Sequence, residues 1–121
     1  MVSSLAAFAA GPSLTSYNAS KAGAEQFANA LRLEVAEHGV AVGAAHMSWI
    51  DTPLVQEAKS DLPAFQTMLS KVGLLGKTTS VEACGSAFVE GIEERKSRVY
   101  CPQWVGVLRW LKPLLSTAPA E

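Results

Sequence analysis

The sequence predicts an α/β fold, the second half of a doubly wound parallel sheet, and three observations carry that expectation. A strand end, a long helix, a short apolar strand, a helical region and a second short strand follow one another along the chain. The run Val40–Ala45 is apolar and of strand length, as a parallel strand covered on both faces is. The helices between the strands carry their own start and stop signals. With 121 residues, 49% hydrophobic and 17% charged, the chain has room for one domain with a modest core.

Met1 to Ser4 reads as the last residues of a strand. Leu5 to Ser16 is rich in Ala, Gly, Pro and Ser and is expected to be a loop. A helix is predicted from Thr15 or Ser16 to His38. Its alanines, Phe27, Leu31 and Val35 would form the apolar face, while Glu25, Arg32 and Glu37 face solvent. Gly39 supplies a left-handed C-terminal cap. After the strand Val40–Ala45 comes a loop, His46 to Leu54, containing Thr52-Pro53. A helical region from Leu54 to Val72 is interrupted by Asp61-Leu62-Pro63, and Gly73 to Thr78 is a break. Thr79-Ser80-Val81-Glu82 is a capping box opening a helix that runs to Lys96. Arg98–Cys101 is a strand ended by Pro102, and Trp104–Leu115 is an apolar helical tail before a loose end. The organisation expected is therefore residues 1–103 as the sheet-bearing half-domain and residues 104–121 as the tail, a lid or interface helix.

The chemistry concentrates in Tyr17-Asn18-Ala19-Ser20-Lys21, with Ser4 thirteen positions before the tyrosine. Tyrosine and lysine four apart share one helix face, one turn from each other. An ordinary phenol titrates near pKa ~10, too high for efficient proton exchange at neutral pH. A neighbouring ammonium stabilises the phenolate, and a serine hydroxyl alongside can polarise a carbonyl. Such a set suits proton transfer at an alcohol or ketone while another agent moves hydride. A surface tyrosine beside a solvated lysine is the alternative meaning of the same spacing.

The stretch Val2-Ser3-Ser4 through Tyr17-Asn18-Ala19-Ser20-Lys21-Ala22-Gly23-Ala24 resembles the catalytic segment of the short-chain dehydrogenase/reductase family. That resemblance implies a Rossmann fold and an NAD(P)-dependent oxidoreductase that interconverts a secondary alcohol and a ketone. It implies Ser4 as the residue that orients the carbonyl and Tyr17 as proton donor and acceptor. Lys21 would support the tyrosine and bind the ribose hydroxyls, so Tyr17 and Lys21 also touch the cofactor, NAD or NADP. Where the family carries Pro-Gly-x-Val/Ile-x-Thr, this chain has Met47-Ser48-Trp49-Ile50-Asp51-Thr52. By resemblance the Ile50 backbone and the Thr52 hydroxyl hold the nicotinamide carboxamide. Met47 in place of proline restores a backbone donor, and Ser48 in place of glycine would strain a left-handed turn. Thr52 ahead of Pro53 also reads as a helix N-cap, and the two roles can coexist.

The resemblance covers nearly the whole chain but only the latter half of a usual family member. The glycine-rich Gly-x-x-x-Gly-x-Gly turn, the Asn-Asn-Ala-Gly stretch and the residue that selects NAD or NADP have no counterpart here. The chain is expected to be inactive by itself, and a non-catalytic fragment serving only in association is the alternative function. The family helix matching Thr15–His38 packs in a dimer interface, so the complete protein is expected to be a homo-oligomer.

Other residues receive quieter roles. His46 is expected to be a hydrogen-bonded structural histidine, Asp51 a loop-capping carboxylate and Cys84 a small core residue. Trp49 and Met68 are candidate walls of a substrate pocket. The tail crowds Trp104, Val105, Val107, Leu108, Trp110, Leu111, Leu114 and Leu115 around Arg109 and Lys112. It suits a lid over a hydrophobic alcohol or ketone, a peripheral membrane contact, or a docking helix. A net charge of -1 without a basic run argues against nucleic acid. Cys84 and Cys101 lack metal-ligand spacing, so a reduced cytoplasmic setting is expected, with no metal.

Overall fold

In the computed structural model, which describes residues 1–9, 14–61, 63, 67 and 77–115, the strand Ala44–Met47 (β1) is central. On one edge Ala45 N–H donates to the Met1 carbonyl at 2.9 Å and Ser3 N–H to the Ala45 carbonyl at 2.7 Å. On the other edge lies Arg98–Cys101 (β2), parallel and in register from Ala44 opposite Arg98 to Met47 opposite Cys101. The strand end predicted at Met1–Ser4 thus joins as a parallel bridge from Val2 to Ala45.

β2 lies where the sequence puts it. β1 does not: it begins at Ala44 rather than Val40. The Val42 carbonyl is taken by Arg32 Nε at 2.9 Å instead of by a strand. Gly43 is pressed against the Lys96 carbonyl, where a Cβ would sit at 2.7 Å. The loop expected after Ser4 opens with a single 3-10 turn, Leu5–Ala7, capped by the Ser4 side chain.

Helix α1 spans Thr15–Val35 and runs into a 3-10 turn, Ala36–His38, closed by Gly39 at φ 70°. Its inward face differs from expectation. Glu25 and Ala28 are buried, whereas Phe27 is 57% exposed. The reason lies in the sheet beneath, which offers His46 and Arg98 to this helix and so selects polar partners and small residues. Helix α2, Pro53–Asp61, starts one residue before the expected Leu54. Of the rest of the expected helical region only Pro63 and Thr67 are described, both helical; Met68 falls outside the described residues.

Helix α3 spans Val81–Glu93. Its N-cap is Ser80, whose oxygen accepts from Ala83 N at 3.1 Å, because Thr79 is occupied in a bridge to Ile50. The expected Thr79 cap is therefore displaced by one residue. The helix stops short of Lys96 in a Schellman turn: Arg95 adopts φ 56°, Lys96 N bonds Gly91 O at 2.9 Å, and Arg95 N bonds Ile92 O at 3.2 Å. Helix α4 covers Val105–Leu115.

Side chains alternate across a strand, so the contacts assign the helices to faces. His46 and Tyr100 share one face with Phe8, and His46 approaches Glu25 of α1. Met47 and Val99 point the other way, to Cys84 and Gly91 of α3. α1 and α3 therefore cover opposite faces. Because both connections step the same way across parallel strands, they have opposite hands, and one departs from the right-handed rule. The apolar core lies on the α1 face: Ala7, Phe8 and Val105, flanked by Leu5, Ala22, Tyr100, Trp104 and Leu108.

Gly91 lets α3 settle on β2, for a Cβ there would stand 2.3 Å from Val99 Cγ2. Gly91→Ala is expected to destabilise the fold by roughly 1–3 kcal/mol through overpacking. Val99→Ala in the same chain should recover part of that loss in denaturant titrations.

Candidate functional site

The strand end and the start of α1 are fastened together by side chains that flank the expected catalytic residues. Ser3 Oγ donates to the Lys21 carbonyl at 2.9 Å. The Asn18 amide donates twice, to the Ala6 carbonyl at 2.7 Å and the Ala9 carbonyl at 2.9 Å. These bonds hold the turn that follows Ser4 against the first turns of the helix that carries Tyr17 and Lys21. Tyr17 stays 45% exposed, with Lys21 Nζ 5.6 Å from its ring centroid. The Ser4 oxygen accepts from Ala6 N at 3.1 Å, so its own O–H remains able to donate to a carbonyl.

The second group of expected residues lies on the loop after β1. Ile50 pairs with Thr79 as a parallel bridge through its neighbours, Asp51 N to Thr79 O and Thr79 N to Trp49 O, both 2.8 Å. The Thr52 oxygen accepts from Val55 N at 3.3 Å, and Pro53 begins the helix, so Thr52 does cap α2. Asp51 accepts from the Gln56 amide at 3.1 Å. Ser48 continues the ladder, its N–H donating to Cys101 O at 3.0 Å, and among the described non-glycine residues only Arg95 has positive φ. The strain expected from serine in a left-handed turn is therefore absent there. Trp49 is half-buried.

A cavity of about 680 Å³ opens elsewhere, between α3 and the Met1–Val2 segment, walled by Val40, Phe88, Ile92 and Val99. Ser4, Tyr17, Lys21, Trp49, Ile50 and Thr52 do not line it. Its size does not make it the reactive centre, because it lacks the proton-transfer groups. Among the described residues no group of His, Cys, Asp and Glu is arranged to hold a metal ion. No described helix is long and apolar enough to cross a membrane.

Residues 1–63, which include Ser3, Ser4, Tyr17, Asn18, Lys21, Trp49, Ile50 and Thr52, match the family model of the short chain dehydrogenases. The chain belongs to that family. It is similar to the short-chain dehydrogenase srdC of Neurospora crassa, 31% identical over 86 residues, which is 71% of this chain and 32% of the relative. It is also similar to the short-chain dehydrogenase RED2 of Pyricularia oryzae, 30% identical over 87 residues, 72% of this chain and 31% of that protein. The chain thus spans about a third of the length of these curated relatives.

Family members use a nicotinamide cofactor, and the residues here fit its nicotinamide end. No carboxylate forms an ion pair with Lys21 among the described residues, so its ammonium is not neutralised. The bonds of Trp49 and Asp51 to Thr79 turn the Ile50 amide away from that partner. The Thr52 hydroxyl accepts a bond while keeping its hydrogen to donate.

Sequence reasoning missed the fastening residues Ser3 and Asn18, and it missed the Glu25–His46 pair. A signal for Asn18 existed: a poor helix former in a first turn often bonds outside its helix. For Glu25 the clue was its spacing of three from both Ala22 and Ala28, which puts a carboxylate on the small-residue stripe.

His46 sits where a structural histidine does, fully buried and stacked on Phe8 at 4.6 Å. The expected hydrogen bonds are not found among the described residues, where neither ring nitrogen has a partner and Glu25 Oε1 stands 3.7 Å from Nε2. Burial, then the charges of Arg98 and Arg109, push its pKa from 6.5 down to about 4. The unfolded imidazole takes up its proton near pH 6.5 and the folded one near 4. Stability from this group is therefore intact above pH 6.5, falls as pH drops to about 4, and levels off below. The parent is expected to lose up to about 3 kcal/mol more than His46→Gln across that window. Denaturant titrations at stepped pH measure it, and parallel curves for the two proteins would contradict a neutral buried imidazole.

Proposed function

We propose that this chain supplies the proton-transfer half of an NAD(P)-dependent alcohol–ketone oxidoreductase, the second half of a doubly wound Rossmann sheet. The observation that carries the reading is the exposed phenol of Tyr17 beside the Lys21 ammonium, on a helix fastened by Ser3 and Asn18 to the strand end bearing Ser4. Ser4 donates its O–H to the substrate carbonyl and orients it. Tyr17 gives its phenolic proton to the carbonyl oxygen in reduction and takes it back in oxidation. Lys21 stabilises the phenolate left behind and holds the ribose hydroxyls. Ile50 and Thr52 would hold the carboxamide, and a nicotinamide bound there would supply or accept hydride. Trp49, half-buried on the same loop, walls a pocket for a hydrophobic alcohol or ketone.

The test is made in a polypeptide that carries this segment together with a dinucleotide-binding half. Tyr17→Phe is expected to lower turnover by ~10²- to 10⁴-fold, the worth of general acid–base catalysis, with cofactor affinity nearly unchanged. Turnover within a factor of two of the parent would remove the tyrosine from its role. Lys21→Met is expected to damage turnover and cofactor affinity together, and normal affinity would rule out the ribose contact. Asn18→Ala leaves the chemical groups in place but frees the turn, so turnover is expected to fall while cofactor affinity holds.

A further inference from the structure

Three sulfur atoms gather on the α3 face of the sheet, where β1 and β2 end at Met47 and Cys101. These two residues are register partners on adjacent parallel strands, so their side chains leave the same face side by side. Cys84, in the opening turns of α3, lies over them, and its thiol donates to the Met47 thioether sulfur at 3.4 Å. Both cysteines are free and buried, Cys84 at 7% exposure and Cys101 at 4%. Burial first, then the neighbouring Cys84, pushes the Cys101 thiol up to about 11. The Cys101 thiol is therefore protonated at neutral pH, and oxidation, which runs through the thiolate, is slow there.

We propose that Met47, Cys84 and Cys101 form a binding site for one soft monovalent metal ion of the Cu(I) kind, held by two thiolates and one thioether. The donor set selects the ion. Thiolate and thioether sulfur suit Cu(I), whereas calcium, magnesium and manganese take oxygen donors. Structural zinc takes four ligands from Cys, His, Asp and Glu, and no such group stands among the described residues. Binding breaks two S–H bonds and forms three sulfur–metal bonds. The two protons pass to solvent and the ion stays monovalent, so the step needs no oxidant. A disulfide uses two of the three sulfurs and requires an oxidant; the metal uses all three. Because the ligands come from α3, β1 and β2, the ion fastens the helix to both strands. The inference stands apart from the catalytic assignment, because it uses none of Ser4, Tyr17, Lys21, Ile50 or Thr52.

The experiment adds Cu(I), supplied without oxygen as its bathocuproine disulfonate complex, to the purified, reduced chain and follows loss of the coloured complex. Far-ultraviolet circular dichroism checks that each variant keeps its helix content. The parent is expected to withdraw copper in a one-to-one ratio. The Met47 ε-methyl resonance, assigned by its absence from Met47→Leu, is expected to shift as copper enters and to stay in place with Zn(II). Cys84→Ala and Cys101→Ala are each expected to abolish the withdrawal at the same chelator concentration. Met47→Leu keeps both thiols and nearly the same volume. It is expected to weaken binding by at least the ~10-fold that loss of even a residue behind the ligands costs. Absence of one-to-one binding overturns the proposal. So does copper held equally by the parent and Met47→Leu, which is the behaviour of two unstructured thiols. A Met47 methyl resonance that ignores copper, or that moves as far with Zn(II), overturns it as well.

Discussion

The relation between the strand end and helix α1 depends on two side chains, Ser3 and Asn18. Ser3 reaches the Lys21 carbonyl, and Asn18 reaches two carbonyls of the turn that Ser4 caps. Each bond contributes only about 0.5–1.5 kcal/mol to stability. Their larger effect is positional: with backbone fixed at both ends, the remaining freedom of the site is the rotation of the Tyr17 and Lys21 side chains. Reacting groups must come within ~3–3.5 Å in line, and a scaffold that removes backbone motion lowers the entropy lost in reaching that geometry. In the proposed site Asn18 would therefore be a positioning residue, holding the Ala6 and Ala9 carbonyls.

Beneath α1 the sheet is polar, and this explains how a helix with so few large inward side chains is held. Arg32 donates to the Val42 carbonyl, the Ser97 carbonyl and the Asn29 side chain, at 2.9, 3.0 and 3.0 Å. Arg98 donates to the same Asn29 oxygen at 3.2 Å. A planar fork of fixed donors can join the lead-in of β1 to the lead-in of β2 in one step, which a lysine cannot. Burial first, and then the charges of Arg98 and Arg109, lower the Arg32 pKa from its ordinary value. The large apolar side chains are displaced to the far end of this face, where Phe8, Tyr100 and Val105 meet.

Much of the architecture was legible in the residues because local chemistry and tertiary demand agree there. Gly39 caps α1 since only the left-handed region closes that turn cheaply, and the strand Arg98–Cys101 falls between a turn and a proline. The placing of Tyr17 and Lys21 one turn apart on a single helix was readable for the same reason, one helix turn being a local rule. β1 was misplaced because Val40–Val42 is apolar yet its carbonyl partner is Arg32, a side chain distant in the fold's other layer. The inward face of α1 was misread because hydrophobicity marks Phe27, while the sheet it meets presents His46 and Arg98. The capping box slipped by one residue where Thr79 was claimed by Ile50. In each case a non-local partner outweighed the local signal.

The central place of β1 has a consequence for how the chain acquires its structure. Neither neighbour of β1 follows it through a tight turn: residues 5–43 lie between it and the strand end at Val2, and residues 48–97 between it and β2. No pair of strands here can begin as a hairpin, so every sheet hydrogen bond waits on the closure of a long loop. Helix formation within those connections shortens the distance to be closed. The two loops also pass over opposite faces, so neither can template the path of the other. The sheet is thus assembled wholly from long-range contacts, and the strand end that carries Ser4 is held in place by the same closures.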